Sequence, residues 1–322
     1  MTRFDSRRRV STYTSVWMPT DDATPQSVAG YFGGGNSSSG RISGIDKIAF
    51  PDDSKSTLSA TLSSGRNNLA GMANSGVAGY FGGGNDSSGR LSGIDKIAFP
   101  ADTKTTLSAT LSTPREGPAA FANSGVAGYC GGGQNNSGRT ASIDKLTFST
   151  EVRSELSGTL TTVRDYLSGM ANSGVAGYFG GGNDGAYISG IDKITFSADT
   201  KSTLSATLTS GALTLAAMAN SGTAGYFGGG DTSSGKVSRI DKITFSSDTK
   251  STLSATLTTA VSEIAAMANS GVAGYFGGGH TGAANLSRID KITFSADTKS
   301  TLSDTLSSAR NYLAGMADSG VL

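Results

Sequence analysis

The chain has 322 residues, of which 46 are Gly, with one Cys, one His, one Trp and 16% charged residues at a formal net charge of +1. Gly is thus about twice its usual ~7% share and charge well below the usual ~25%. Near-neutrality gives no bulk electrostatic basis for binding nucleic acid or an anionic membrane, a lone Cys excludes a disulfide framework, and no apolar run approaches the ~20 residues of a membrane span.

In chain order, residues 1–26 form an N-terminal arm outside the pattern that follows. Arg3, Arg7, Arg8 and Arg9 against Asp5 make it basic, and Tyr13, Trp17 and Met18 supply an apolar anchor. That mixture is common at interfaces, so the arm is expected to dock on another subunit, with Arg7, Arg8, Arg9, Tyr13, Trp17 and Met18 as assembly residues. No apolar h-region follows the basic residues, so a secretion signal is not expected.

From about residue 27 to 322 one unit recurs. Gly-Tyr-Phe-Gly-Gly-Gly or a close variant places its Tyr at Tyr31, Tyr80, Tyr129, Tyr178, Tyr226 and Tyr275, in steps of 48 or 49 residues. Ile-Asp-Lys keeps the same step, giving Asp46-Lys47, Asp95-Lys96, Asp144-Lys145, Asp192-Lys193, Asp241-Lys242 and Asp290-Lys291. Repeats begin near 27, 69, 118, 167, 215 and 264. In the second copy four strands are predicted: Leu69–Asn74, Val77–Gly82, Ser92–Phe99 and Thr106–Leu111, with Asn74-Ser75-Gly76 as a tight turn. Four short strands per ~40–50 residues is the arithmetic of a β-propeller blade; a parallel β-helix usually repeats at about half that period. The expected fold is therefore all-β: a six-bladed β-propeller of four-stranded antiparallel blades. The first copy lacks its first strand and the last residues, 312–322, supply one, so the C-terminal strand is expected to complete blade one and close the ring.

The order Arg, small apolar strand, Asn-Ser-Gly, strand, Gly-Tyr-Phe-Gly-Gly-Gly resembles the kelch repeat, whose Gly pair ends the second strand and whose Arg often precedes the first. Arg66, Arg115, Arg164 and Arg310 match that Arg; Ala212 and Val261 stand in its place in two copies, and the family's outer-strand Trp is missing, with Leu58 and its equivalents near that position. The near-identical units also resemble repeat proteins encoded by tailed phages of aquatic bacteria, which implies a virion component as the biological setting.

Catalytic candidates are poor. A copper-radical oxidase on such a scaffold needs two His ligands and a Tyr–Cys pair, and this chain has only His280 and Cys130, the latter in a slot that is Phe81 or Phe179 elsewhere. The Gly-Gly-Gly runs lack the Lys-Ser/Thr of a phosphate loop, and EF-hand spacing is absent. No cofactor, metal site or catalytic residue is expected. The repeated Asp–Lys pairs read as structural inter-blade contacts, each Asp bonding the next blade's Lys or backbone amides. An alternative reading as a glycan hydrolase or lyase would draw on the non-repeated acids Glu116, Asp165, Asp184 and Glu263; another alternative is an intracellular interaction propeller.

The copies differ mainly in two sets of loops, from strand two to three and from strand four to the next strand one, which share one face. The opposite turns hardly vary, apart from Ser149–Arg153. Binding specificity commonly sits on such loops. The expected binding residues are Arg66, Asn68, Asn85, Asp86, Arg115, Glu116, Asn135, Arg164, Asp165, Tyr166, Asp184, Tyr187, His280, Arg310 and Tyr312. The expected partners are other virion proteins through the arm and a host glycan or protein on the variable face, with no nucleic acid and no membrane insertion.

Overall fold

The computed structural model describes residues 29–318; the arm residues Arg7, Arg8, Arg9, Tyr13, Trp17 and Met18 lie outside them. Every element among the described residues is a β-strand, arranged in ten antiparallel sheets of two to four strands. Six of these sheets have four strands and repeat one another. The second unit is representative: Ala70–Asn74, Ala78–Gly82, Ile94–Ala98 and Thr103–Thr106, each paired with the next. In the first unit the innermost strand is Ala314–Ala317, which pairs antiparallel with Ala29–Gly33, Tyr31 opposite Met316. The innermost strands also lie side by side in order, and Ala314–Ala317 adjoins both Ala265–Asn269 and Ala70–Asn74. No helix among the described residues is long and apolar enough to cross a membrane.

The fourth strand differs from its expected place. It runs over Thr103–Thr106 rather than through Leu111. Leu107 and Leu111 keep alternating burial, but the segment has left the outer edge and bonds the start of its own third strand, Leu107 N–H to Ile94 C=O and Leu111 N–H to Ser92 C=O. The alternation of apolar and hydroxyl residues there reflects an anchored linker, not a ladder.

Packing between units explains the small residues. Met72 fills the space where a side chain on Gly128 of the next unit would sit, and Met170 does the same at Gly225. In the other direction Phe179 covers Gly131 and Phe227 covers Gly180. The third unit inverts the sizes: Phe121 replaces the Met and closes over Gly177, while Cys130 replaces the Phe and leaves Gly82 with no neighbour closer than 3.7 Å. Cys130 is fully buried, and that burial pushes its thiol up to about 12, so it stays protonated and inert near neutrality.

The Tyr of each unit stacks on a Phe of the next, as in Tyr31–Phe99 at 5.1 Å and Tyr178–Phe245 at 5.2 Å between ring centroids. Its hydroxyl donates to an acid in that unit's turn between strands three and four, Tyr31 to Asp102 at 2.8 Å and Tyr129 to Asp199 at 2.7 Å. The set completes a cycle, because Tyr275 of the sixth unit stacks on Phe50 and donates to Asp53 of the first.

Candidate functional site

The antiparallel order sends the loops between strands two and three, and between strand four and the next strand one, to one end of every sheet. The tight turns go to the other end. Both ends carry a repeated backbone arrangement, and the two differ in their side chains.

At the turn end, the Ser75 amide donates to the Ser124 hydroxyl, Ser124 to Ser173, Ser173 to Ser221 and Ser221 to Ser270, all at 2.9–3.1 Å. Ser recurs there in each described unit, and the turns between strands three and four depart clearly only at Ser149–Arg153. At the loop end, six equivalent residues take a left-handed backbone: Asn68, Gly117, Tyr166, Thr214, Glu263 and Tyr312, with φ between 52° and 62°. Their peptide groups form a closed cycle. Asn68 N–H donates to Tyr312 C=O, Gly117 to Asn68, Tyr166 to Gly117, Thr214 to Tyr166, Glu263 to Thr214 and Tyr312 to Glu263, all at 2.8–2.9 Å. Gly adopts this conformation freely and Asn readily, but for a β-branched residue such as Thr214 it is an outlier that the surrounding bonds must enforce.

Around this cycle the side chains are individual. Tyr166 and Tyr312, which enter units three places apart in the cycle of six, bring their rings to 6.1 Å between centroids. Glu116 accepts from Asn68, Asn85 and Arg90 at 3.0–3.2 Å. Arg139 binds Asp165 at 3.0 Å, and Asn311 donates to Glu263 at 2.6 Å. A small cavity of about 70 Å³ sits at the centre, bordered by Asn68, Tyr166, Thr214, Glu263 and Tyr312. Burial first, then the neighbouring carboxylates Glu116 and Asp165, push Tyr166 up to about 12, and burial and Glu263 act the same way on Tyr312. Burial likewise raises Asp165 against the opposing effect of Arg139.

The expected binding residues divide. Asn85, Asp86, Asn135, Asp184, Tyr187 and His280 lie in the loops between strands two and three and are half-buried or exposed, Tyr187 at 40%. Asn68, Glu116, Tyr166 and Tyr312 border or support the central cavity. Arg66, Arg115, Arg164 and Arg310 do not belong to a binding surface: all are at most 2% exposed. Their guanidinium groups are spent inside, Arg66 on the carbonyls of Phe81 and Gly83 and on Asp95 at 2.7 Å. Arg115 pairs with Asp144, Arg164 with Asp192 at 2.9 Å, and Arg310 with Asp46 at 3.0 Å. Asp165, at 1% exposure, is also withdrawn from the surface.

Of the two inter-unit partners expected for each triplet Asp, a Lys of a neighbouring triplet or backbone amides, the structure gives the backbone amides and not the Lys. Each Lys donates to the turn acid that already binds the Tyr hydroxyl, as in Lys47–Asp102 at 2.7 Å, Lys193–Asp248 at 2.6 Å and Lys291–Asp53 at 2.6 Å. Lys96 finds Glu151 there, so the divergent turn Ser149–Arg153 keeps a carboxylate in place. Each strand Asp instead accepts from the linker that precedes its unit: Asp95 from the Ser63 amide and hydroxyl, Asp241 from those of Thr209 and Asp290 from those of Thr258. Burial raises the Asp95 carboxyl, but the Ser63 bonds, the Arg66 charge and the Thr106 hydroxyl together outweigh it and hold it below the usual range.

Two units lack the linker Arg, and the structure shows where its charge has gone. Position 44 and its equivalents are Gly44, Gly93, Ser142 and Gly190 where the linker carries Arg, but Arg239 and Arg288 where it carries Ala212 and Val261. Arg239 reaches Asp241 at 3.5 Å and Ser210 at 2.9 Å, and Arg288 reaches Asp290 at 3.5 Å and Thr259 at 2.7 Å. Every strand Asp therefore keeps an Arg through one of two sequence positions. Removing the Arg of a buried pair typically costs about 3–5 kcal/mol, so Arg66→Ala is expected to destabilise by that order. A side chain on Gly93 meets nothing within 4 Å, so Arg66→Ala combined with Gly93→Arg is expected to recover part of the loss. Denaturant unfolding of the three proteins checks this; a double variant no more stable than Arg66→Ala contradicts the exchange.

A set of basic residues outside the expected binding residues also lies at this end. Arg41, Arg90, Arg139 and Lys236 occupy one position at the tips of the loops between strands two and three, where Tyr187 and Asn285 stand in the other two units. The signal was their recurrence after Gly at fixed phase. Arg90 and Arg139 meet acids of the next linker, whereas Arg41 meets Asn67 and Asn85 at 3.3 Å and remains exposed. Among the described residues no group of three or more His, Cys, Asp or Glu is placed to hold a metal ion. In comparisons with known proteins, no protein-family model and no curated protein matches this chain.

Proposed function

We propose that the six units form a closed, six-bladed, kelch-like propeller and that it is a non-enzymatic binding protein whose loop end is its recognition face. The observation that carries this reading is the contrast between the two ends. Equivalent backbone at the turn end carries Ser at each described position, whereas equivalent backbone at the loop end carries Asn, Gly, Tyr, Thr, Glu and Tyr. A ring needs its backbone bonds, not six different side chains. Left-handed residues other than Gly occur at both ends, but at the turn end they are Asp or Glu in every unit, Asp53, Asp102, Glu151, Asp199, Asp248 and Asp297, whereas at the loop end they are Asn, Tyr, Thr, Glu and Tyr. The rim adds exposed Tyr187, Arg41 and the polar side chains Asn85, Asp86, Asn135 and His280, a composition suited to hydrogen bonding and stacking on a glycan or a polar protein surface.

The non-enzymatic part rests on how three of the four non-repeated acids are used. Glu116 takes three donors and Asp165 takes Arg139, while Asp184 holds the amide of Ala186 in its own loop. The setting we propose is a phage particle, on the resemblance to phage-encoded repeat proteins, with the N-terminal arm as the attachment to other virion proteins. A panel of defined bacterial surface glycans tests the face. Wild type is expected to bind, and the variant Arg41→Ser with Tyr187→Ser is expected to lose at least tenfold in affinity with its melting transition unchanged; undiminished binding by that variant contradicts the assignment.

A further inference from the structure

We infer that the central cavity of the loop end is a site for an alkylammonium group, the charged end of an unbranched chain. The assignment rests on the reading of this end as the recognition face, and it follows from four observations there.

The first is an imbalance of hydrogen-bonding capacity. A carboxylate can only accept, so the bonds from Asn68 to Glu116 and from Asn311 to Glu263 must use the amide nitrogens. Both amide oxygens, Asn68 Oδ1 and Asn311 Oδ1, are then left buried without a partner. An unsatisfied acceptor beside a cavity calls for a donor. Asn68 borders the cavity, whereas Asn311 does not line it but precedes the lining residue Tyr312 in the chain.

The second is charge. Glu263 borders the cavity, and its nearest cation, Lys236, stops 3.8 Å away because its shorter bond, 2.5 Å, goes to Ser262. Lys236 thus meets the carboxylate only at the outer ion-pair distance, and the closer donors to Glu263, Asn311 and Tyr312, are neutral. The third is the aromatic pair, whose faces attract cations; both phenols are held neutral by burial and by nearby carboxylates, so they stay electron-rich without competing as charges. The fourth is size. At about 70 Å³ the cavity accepts a few water-sized groups in line, which suits a methylene chain end and not a sugar ring.

The same chemistry is offered by a free polyamine and by a lysine side chain of a partner protein. Calorimetric titration separates them, with spermidine as one probe and Nα-acetyl-lysine methylamide as the other. Nα-acetyl-norleucine methylamide, which has the stem without the charge, is the control. The expected result is one site per chain, at least tenfold weaker binding of the norleucine compound, and at least tenfold weaker binding of both amines to Glu263→Gln. A second variant, Thr214→Lys, places a tethered ammonium at the cavity and is expected to abolish binding while the protein still melts cooperatively. Tighter binding of spermidine than of the lysine compound assigns a polyamine, and the reverse assigns a partner's lysine. Equal binding of the norleucine compound, or amine binding unaffected by both variants, overturns the site. If amines fail while Arg41→Ser with Tyr187→Ser still weakens glycan binding, the cavity assignment alone is lost; if both fail, the recognition face is lost with it.

Discussion

Deleting residues 310–322 is expected to abolish cooperative unfolding near the wild-type midpoint. The deletion removes the strand Ala314–Ala317 and with it the whole inner pairing of Ala29–Gly33. It also removes the Arg310–Asp46 pair, in which both side chains are fully buried. Met316 disappears from above Gly79, and Asp318 no longer accepts from the Gly76 amide. Finally the backbone cycle loses Tyr312, which bonds both Glu263 and Asn68. Breaking the buried pair alone costs about 3–5 kcal/mol, already comparable with the 5–15 kcal/mol by which most domains are stable. An exposed inner edge would also invite pairing between chains, so the truncated protein is expected to associate. Adding a peptide of residues 308–322 should restore the transition. A truncated protein that melts cooperatively at the wild-type midpoint contradicts the account of closure.

Alkaline pH is expected to unfold the protein in one step. Tyr31, Tyr80, Tyr129, Tyr178, Tyr226 and Tyr275 are buried at the contacts between units, and each donates its proton to a carboxylate. Burial, then these bonds and charges, raises all six phenols well above their ordinary value of 10.0. A phenol raised on folding contributes stability that is fully present below the unfolded value and is lost as pH rises beyond it, because the unfolded chain then holds fewer protons. One group changes stability by up to about 1.4 kcal/mol per pH unit, so six acting together approach about 8 kcal/mol per unit above pH 10. Stability is therefore expected to vary little with these groups below pH 10 and to collapse within one or two units above it. Tyrosinate absorbance should appear together with the loss of β-sheet circular dichroism. Gradual ionisation near pH 10 in a protein that keeps its β-sheet signal contradicts this.

Much of the architecture was legible because one unit is written repeatedly. The step of 48 or 49 residues, Asn-Ser-Gly turns and strands of small residues pointed to repeated four-stranded antiparallel units, and the phase of the two chain ends pointed to the pairing of Ala314–Ala317 with Ala29–Gly33. The extent of the fourth strand is not legible because apolar and hydroxyl residues alternating from Leu107 to Leu111 look the same in a ladder and in a linker anchored at two points. The linker arginines look like surface residues in the sequence, because a charged residue in a polar loop is usually exposed. The correlated exchange with Arg239 and Arg288 was the counter-signal, since a solvated Arg has no reason to be replaced elsewhere in its own unit.

The site was less legible. Nothing in the types Tyr166, Thr214 or Tyr312 announces a left-handed backbone; that conformation is imposed by a hydrogen-bond cycle whose members are about 49 residues apart. Lys47 and Asp46 are adjacent on a strand, which sends them to opposite neighbours, Lys47 to Asp102 and Asp46 to Ser307, but strand alternation does not say which residues wait there. The acid that meets Lys47 and Tyr31 lies in a turn read only as a turn, and its partnership was visible only in three dimensions.

The recognition face is tested most directly by blocking each end separately. Single cysteines placed at Asn85 on the loop end and at Ser75 on the turn end, in a Cys130→Ser background, allow attachment of the same bulky label to either face. The account predicts that the label at position 85 abolishes binding to the surface glycans or partner protein bound by the unlabelled protein, while the label at position 75 leaves it within twofold. Loss of binding from position 75, with position 85 unaffected, would contradict it.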